Sequence, residues 1–383
     1  MAPALSDIAT RLSPDAKGSP VLKSGFLHAA HVTHLMFLDL VSPQAQDGLA
    51  ADKRSILPLG DNALVPLDGN DLARLLPNAR TGRLSLDTIY GSNPKAIRNP
   101  DNPRHLSLTA PLPDRRLEYA PQVGWLARLL QKYHNFLADT ELDAVSKPDP
   151  AFSRARRQTT WTWQWLLLND ALPMICDPDV LAWVIAERAP LYRAFYRRTG
   201  GRGKGLPVPC EFAFALSGFG IAPFGDAAAG TILDSAGTAS AHADLRSDHW
   251  PDNLIARILR TGYRLSLPTA QGVLEALVQL DRSVKEAPTC IILTTDDLRG
   301  GTAGDLLEAH GFLERTPLLY YFVREAEVVE NGARLGPLGS RIMAETVVGL
   351  LASDLDSHLN VDGPKWEPPK GCRSFAELAA AHP

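Results

Sequence analysis

A tryptophan-rich stretch near the middle of the chain restricts the folds available to this sequence. Residues 155–171 read ARRQTTWTWQWLLLNDA, with Trp161, Trp163 and Trp165 followed directly by three leucines. Periodicity predicts one helix that ends at Pro173. Its apolar side chains cover most sides, and a helix that is hydrophobic all round lies inside a domain. The sequence therefore predicts a helical domain with this helix in its middle.

Most of the remaining chain also has helical periodicity. Apolar residues of Val123–Ala138 recur at spacings of three and four, which is typical of an amphipathic helix. Asp177 is a candidate N-cap, with Pro178 at the first helical position. Further helices are predicted over Pro178–Arg198, Glu211–Gly220, Asp252–Arg260, Ala270–Leu280 and Leu338–Leu351. Cys290–Thr294 is a β-like run, and Leu318–Val323 fits a strand or a helix.

The composition excludes several classes of protein. Among 383 residues, 39 Lys and Arg face 43 Asp and Glu, so the formal charge of −4 argues against a strongly basic nucleic-acid-binding protein. The first twenty residues lack the apolar core of a signal peptide, and no apolar stretch reaches the roughly 18 residues of a membrane span. The four cysteines are widely spaced. We therefore expect a cytoplasmic protein with neither nucleic-acid nor membrane partners.

Three polar clusters have a possible ligand-binding role. His28, His31 and His34 stand at i, i+3 and i+6, which places the first and last about 240° apart around a helix and disfavours one shared metal ion. A second cluster matches no metal template and predicts a solvated loop; it contains His242, Asp244, Asp248 and His249. The glycine-rich stretch 197–205 (RRTGGRGKG) could hold an anion, but it lacks the Walker pattern, and a solvated connection is favoured.

Seven segments resemble the animal-type haem peroxidases, specifically the bacterial branch of the peroxidase–cyclooxygenase superfamily. They are HLMFLDLV (34–41), LSLDTIYG (84–91), KYHNFLAD (132–139), ARRQTTWTWQWLLLNDALP (155–173), PCEFAFALSGFG (209–220), GYRLSLPTAQGV (262–273) and YYFVREAEVVENGARLGPLGSRIMAETVVGLL (320–351). The last segment is the most specific.

The resemblance runs from about residue 25 to 368 and implies a mainly α fold, a large single haem-peroxidase-like domain with long Pro-rich loops and little β. Length alone suggests two domains, but no Gly/Ser linker divides the chain. The expected boundaries are an N-terminal extension (1–24), the peroxidase-like domain (25–368) and a C-terminal tail (369–383).

The same resemblance implies that the distal half of the haem chemistry is lost. Where the family has Gln and His in Q-F-x-D-H-D, this chain has Met36 and Leu40. Leucine cannot move the proton that peroxide cleavage requires. Asp39, which can esterify haem in the family, is kept. The distal arginine corresponds to Arg116, and Tyr119 replaces a Glu that can contact haem.

The proximal half is implied to be lost as well. The family ligates iron with the His of E-F-x-x-A-x-x-x-x-G-H, where this chain has Ile221. The Asn and Arg of the family's N-x-x-R-G, counted from Gly262, correspond to Ile258 and Thr261. Isoleucines thus replace both an axial ligand and its hydrogen-bond partner. The positions implied around the former haem cavity are Met36, Leu40, Ile221, Ile258 and Thr261.

These substitutions predict a pseudo-peroxidase with neither haem nor a resident metal. A buried Arg116 requires an anionic partner. Either the cavity has closed, leaving a protein that acts through a protein partner, or it binds a small apolar molecule with an anionic group held by Arg116. One alternative is a haem-dependent enzyme with His34 or Cys210 as axial ligand. Another is a repurposed enzyme of specialised metabolism that uses Arg116, Asp39 and Tyr119.

Overall fold

Helices dominate the part of the chain that the computed structural model describes. That part comprises residues 2–12, 24–41, 56–57, 80–119, 121–140, 148–199, 205–216, 259–260, 262–263, 267–281, 287–288, 290–301 and 303–382. Within these ranges the structure contains no β-strand, only two isolated bridges, Arg98 with Leu106 and Thr269 with Pro317. The expectation of a mainly α protein is confirmed. Most of the predicted helix Asp252–Arg260 lies outside the described residues.

The described helices are numbered here in chain order. They are α1 (Ala2–Leu12), α2 (Ser24–Leu40), α3 (Asp87–Tyr90), α4 (Pro121–Thr140), α5 (Pro148–Leu166), α6 (Leu172–Ile175), α7 (Pro178–Ala186), α8 (Pro190–Thr199), α9 (Ala270–Asp281), α10 (Thr295–Arg299), α11 (Gly304–Ala309), α12 (Leu318–Glu330), α13 (Pro337–Ser353) and α14 (Phe375–Ala381). Short 3-10 helices cover Pro94–Ile97, Arg115–Tyr119 and His358–Asn360, and π turns cover Leu167–Ala171 and Phe212–Leu216. None of these helices combines the length and hydropathy that a bilayer span requires.

The most enclosed helix is α13. Every residue from Pro337 to Leu351 is buried, and the helix packs against α7, α8, α12 and the π turn of Phe212–Leu216. A carboxylate from another helix caps its first turn: Glu325 accepts hydrogen bonds from the amides of Leu338 (3.0 Å) and Gly339 (3.1 Å). The helix that is buried on all sides is therefore α13, although it carries the charged residues Arg341 and Glu345.

The tryptophan-rich helix is more one-sided than its sequence predicts. Trp163 is fully buried, but Trp161 and Trp165 are only partly buried. The indole N–H of Trp161 donates to the carbonyl of Asp356 at the surface (2.8 Å), which holds this ring at the edge of the domain. The prediction of all-round burial for this segment was wrong.

Two predicted helix boundaries were also wrong. Pro173 does not end the helical path, because the π turn Leu167–Ala171 precedes it and the proline sits at the start of α6, where its missing N–H costs no hydrogen bond. The predicted helix Pro178–Arg198 is divided into α7 and α8. Arg188 and Ala189 adopt positive φ values of 55° and 49°, and Pro190 begins the next helix.

Three other local predictions have clear outcomes. Asp177 does cap α7: its carboxylate accepts from the amides of Asp179 and Val180, with Pro178 in the first turn. Leu318–Val323 forms the start of helix α12. The run Cys290–Thr294 is not a strand in the structure, since the Leu293 amide donates to the Tyr321 hydroxyl (3.1 Å) rather than to a neighbouring strand.

Helices α8 and α13 approach each other closely at one glycine. A Cβ added to Gly349 would overlap the buried ring of Tyr192. The ring is held in place because its hydroxyl donates to the carbonyl of Pro207 (2.8 Å). Glu345, one turn before the glycine, accepts from the amides of Leu191 (3.0 Å) and Tyr192 (3.1 Å) and so caps the start of α8.

Candidate functional site

The predicted distal positions lie at the C-terminal end of α2 in tight apolar packing. Met36 is 1% exposed and Leu40 is fully buried. Helix α2 packs against α4 and α6, which cover this region. Neither side chain lines either of the two cavities described below. Both are instead packed among buried side chains.

Asp39 joins α2 to the start of α3. Its two carboxylate oxygens accept from the amides of Leu86 (2.9 Å) and Thr88 (3.3 Å). Leu86 adopts a left-handed conformation with φ of 60°, so the carboxylate holds a strained turn in place. Burial, followed by the neighbouring Asp87, raises the pKa of Asp39 to about 7 despite opposing effects of Arg80 and these amides. Both oxygens are occupied by the protein's own backbone.

Arg116 has the anionic partner that its position required. Its Nε and Nη2 donate to Asp114 at 3.0 and 2.7 Å, and Nη2 also donates to the carbonyls of Leu38 (2.9 Å) and Val41 (2.8 Å) at the end of α2. Arg80 binds the same Asp114 carboxylate at 2.6 Å. The interactions of Arg116 with Asp114 and these carbonyls are internal, so it cross-links α2 to the segment around Asp114.

An apolar cavity of about 350 Å³ lies elsewhere, beside the π turn Phe212–Leu216. Apolar side chains form most of its wall; they are Leu5, Phe214, Ala215, Leu259, Leu267, Pro268, Phe312, Pro317, Leu318 and Leu319, and Tyr263 joins them. Two exposed polar residues, His310 and Arg315, stand at its mouth. No hydrogen bond or ion pair joins the Arg315 guanidinium to another described residue. The site therefore combines an apolar interior with an available cation.

This cavity borders the segments that the resemblance assigns to the proximal side. Phe214 and Ala215 belong to the EFAFAL stretch that precedes Ile221, and Leu259 and Gly262 flank the positions of Ile258 and Thr261. These three predicted positions, and the side chain of Tyr119, lie outside the described residues. The lining residues His310 and Arg315 were not predicted, because no periodicity or motif distinguishes residues 310–317.

The alternative ligand candidates are uncharged in their folded surroundings. Burial, then Arg116, lowers the pKa of His34 to about 4, so this imidazole is neutral at pH 7. Burial and the adjacent Glu211 raise the pKa of the Cys210 thiol well above its usual value. Among the described residues no group of three His, Cys, Asp or Glu side chains is arranged to hold a metal ion. The cluster of His242, Asp244, Asp248 and His249 and the stretch 200–204 lie outside them.

The positions that the resemblance assigns to the distal side do not fit a haem group. Met36 and Leu40 are buried apolar side chains where the resemblance implies a Gln and a His, and neither can transfer a proton. Arg116 binds Asp114, and both oxygens of Asp39 accept from backbone amides, so neither of these side chains is arranged to hold a macrocycle.

Buried carboxyl groups predict an unusual dependence of stability on pH. Burial raises the pKa values of Asp39 and Glu345 to about 7 and that of Glu325 to about 8. A carboxyl group whose pKa is higher in the folded state binds more protons there than in the unfolded state. The free energy of unfolding therefore falls as the pH rises toward the pKa of the folded state. Burial also lowers the pKa values of several histidines, and this effect destabilises the protein as pH falls below about 6.5; they are His34, His134 and His358.

The two effects oppose each other, and between pH 6.5 and 8 the carboxyl effect is the larger one while the histidine effect fades. We expect the free energy of unfolding to fall by about 2 kcal/mol over that interval, as measured by urea unfolding at the two pH values. The variant Glu325→Gln should show a smaller fall, because it removes the group with the highest carboxyl pKa. Stability that rises from pH 6.5 to 8 would contradict this expectation.

Comparison of the sequence with known families and curated proteins identified no match. The sequence matches no model of a known protein family, and it is not significantly similar to any curated protein. The likeness to the haem peroxidases therefore rests on the sequence segments alone.

Proposed function

We propose that this chain is a haem-peroxidase-like protein without peroxidase activity, which binds a small, mainly apolar molecule carrying an anionic group. The binding site is the cavity beside the π turn Phe212–Leu216. The observation that supports this proposal most directly is the apolar cavity of about 350 Å³ lined by Arg315, whose guanidinium forms no hydrogen bond or ion pair with another described residue.

The shape and composition of the cavity favour a small-molecule ligand. Ligand pockets typically have volumes of roughly 300–1,000 Å³, with apolar walls and a few polar groups that fix orientation. Burial of the apolar part of a ligand there would stabilise the complex by about 25 cal/mol for each Å² of apolar surface removed from water. The π turn that carries Phe214 and Ala215 is a further indication, because wide helical turns occur frequently at functional sites.

The charge at the mouth determines the polar end of the ligand. Arg315 presents guanidinium donors that suit a carboxylate, sulfonate or phosphate. His310 lines the same cavity and adds a second polar side chain. The anchor that the sequence assigned to Arg116 is thus assigned in this proposal to Arg315, while Arg116 binds Asp114.

Two matched fluorescent probes test the cavity. We expect 8-anilinonaphthalene-1-sulfonate to bind with a one-to-one stoichiometry, and Arg315→Gln to weaken binding by about three- to tenfold through loss of one charge-assisted contact. N-phenyl-1-naphthylamine lacks the sulfonate and should bind the variant and the unmodified protein equally. Ala215→Leu should weaken both probes, because it fills the cavity. The exposed Arg115 lines neither of the two described cavities, and Arg115→Gln is the control.

Equal affinity of the sulfonate probe for all of these variants would contradict the proposed site. A titration with haemin tests the non-peroxidative part of the proposal. We expect neither a sharp Soret band nor oxidation of guaiacol in the presence of peroxide. Both signals, if lost on replacement of His34 or Cys210, would instead favour a haem enzyme with an unusual axial ligand.

A further inference from the structure

A second cavity, of about 560 Å³, lies on another face of the domain. One side of it is the exposed face of α5, and the other is the segment that follows α13, residues 355–362. Arg98, which follows the 3-10 helix Pro94–Ile97, also lines it. None of the residues around the first cavity contributes to this groove.

Two neighbouring arginines in the groove carry charges that the described residues do not neutralise. Arg156 is partly buried and Arg157 is exposed. No hydrogen bond or ion pair joins either guanidinium to another described residue. Each instead lies over an aromatic ring: the Arg156 Cζ is 4.7 Å from the centroid of Tyr90, and the Arg157 Cζ is 5.3 Å from that of Trp161.

Stacking leaves these two cations able to bind an anion. A guanidinium that stacks on a ring face keeps its in-plane N–H groups free, and those groups match the oxygens of a carboxylate or phosphate. The ring also limits the rotation of the side chain, so less conformational entropy is lost when a ligand binds. The two guanidinium groups are therefore partly pre-organised.

The acidic side chains in the groove form no ion pair with Arg156 or Arg157 among the described residues. Asp356 instead binds Arg83 at 2.7 Å, and the same guanidinium also binds Asp354 at 3.1 Å. Asp362 is exposed and forms no ion pair with another described residue. Both guanidinium groups of the groove therefore remain available to an anionic ligand.

The groove also provides hydroxyl groups and an apolar wall. Ser153 and Thr160 lie on the same face of α5 as Arg156, at spacings of three and four residues. Across the groove stands Leu355, which is 84% exposed, an unusual exposure for a leucine beside a cavity. Together with Trp161 it offers a surface for a flat apolar group.

We infer that this groove binds a small aromatic molecule that carries an oxyanion, either a phosphate or a carboxylate. The oxyanion lies between Arg156 and Arg157, within reach of the Ser153 and Thr160 hydroxyls, and the ring packs between Trp161 and Leu355. This site is independent of the function proposed for the first cavity.

Calorimetric titration with three probes tests the site: phenyl phosphate, benzoate and inorganic phosphate. We expect phenyl phosphate to bind more tightly than inorganic phosphate, because only the former has a ring. The double variant Arg156→Gln/Arg157→Gln should weaken phenyl phosphate at least tenfold, whereas Arg315→Gln and Arg115→Gln should leave its affinity unchanged. Thermal unfolding of each variant checks that the fold is retained.

The hydroxyl groups distinguish the two kinds of oxyanion. If the natural ligand is a phosphate, Ser153→Ala with Thr160→Val should weaken phenyl phosphate more than benzoate; equal weakening would assign a carboxylate. The inference is overturned if neither aromatic probe binds, or if the double arginine variant binds both as tightly as the unmodified protein does. Loss of phenyl phosphate binding in Arg315→Gln would overturn it as well.

Discussion

Replacement of Asp114 by alanine is expected to reduce the free energy of unfolding by about 3–4 kcal/mol. The Asp114 side chain is fully buried, and its carboxylate binds both Arg116 and Arg80. Removing one partner of a buried ion pair leaves an uncompensated charge, which typically costs about 3–5 kcal/mol. Here the two arginines are 14% and 13% exposed, so water recovers part of that cost.

Asp114 stabilises the fold at neutral pH in its ionised form. Burial alone would raise the pKa of this carboxyl, but Arg116 and then Arg80 outweigh it and hold the pKa below its usual range. Its contribution is therefore complete above about pH 4 and is lost as pH falls further.

Urea unfolding at pH 7 measures the effect of Asp114→Ala. Asp296→Ala is the matched control, because Asp296 pairs with Arg299 on the surface and is 89% exposed. That variant should change stability by less than about 0.5 kcal/mol. A loss below about 1 kcal/mol in Asp114→Ala would show that Arg116 does not depend on this carboxylate.

Replacement of Gly349 by alanine is expected to destabilise the protein by about 3 kcal/mol. In an exposed helix the same change would stabilise by about 1 kcal/mol, since alanine favours helical backbone. At this position the new methyl group would overlap the ring of Tyr192, which is fully buried and fixed by its hydrogen bond to Pro207. The steric cost of over-packing exceeds the gain in helix propensity.

A second glycine of α13 provides the control for this prediction. A Cβ on Gly339 would approach Leu335 Cδ2 at 2.9 Å, but that atom is the end of a flexible side chain. Gly339→Ala should therefore cost less than about 1 kcal/mol. Adding Tyr192→Leu to Gly349→Ala should cost less than the sum of the two single changes, because the clash is then absent. Strict additivity would contradict the steric explanation.

Regular helices were predictable from the sequence where a single apolar stripe and clear end signals agree. The predicted Ala270–Leu280 begins where α9 begins and ends one residue before it. The predicted Leu338–Leu351 starts one residue after α13 and ends two residues before it. The division between α7 and α8 was missed although Pro190 marks it, because apolar periodicity continues across the break. The degree of burial was harder to predict, since apolar character alone does not show which tryptophan is covered by another element.

The candidate site depended on contacts that a sequence pattern cannot specify. That a buried Arg116 needs an anion follows from its charge, but a partner only two residues away requires the side chain to fold back on its own segment. Arg315 is exposed in a stretch without periodicity, so nothing in the sequence distinguishes it from other surface arginines. The EFAFAL stretch was identified, and the structure places part of it in the cavity wall.

The two π turns have a consequence for how such chains diverge. A π turn contains one residue more than the α-helical turn it replaces, so it records a single-residue insertion within a helix. An insertion of this kind in a regular helix would rotate all later side chains by about 100°, whereas a wide turn absorbs it locally. Alignments with distant relatives should therefore open one-residue gaps at Leu167–Ala171 and Phe212–Leu216, even where the flanking helices are otherwise the same length.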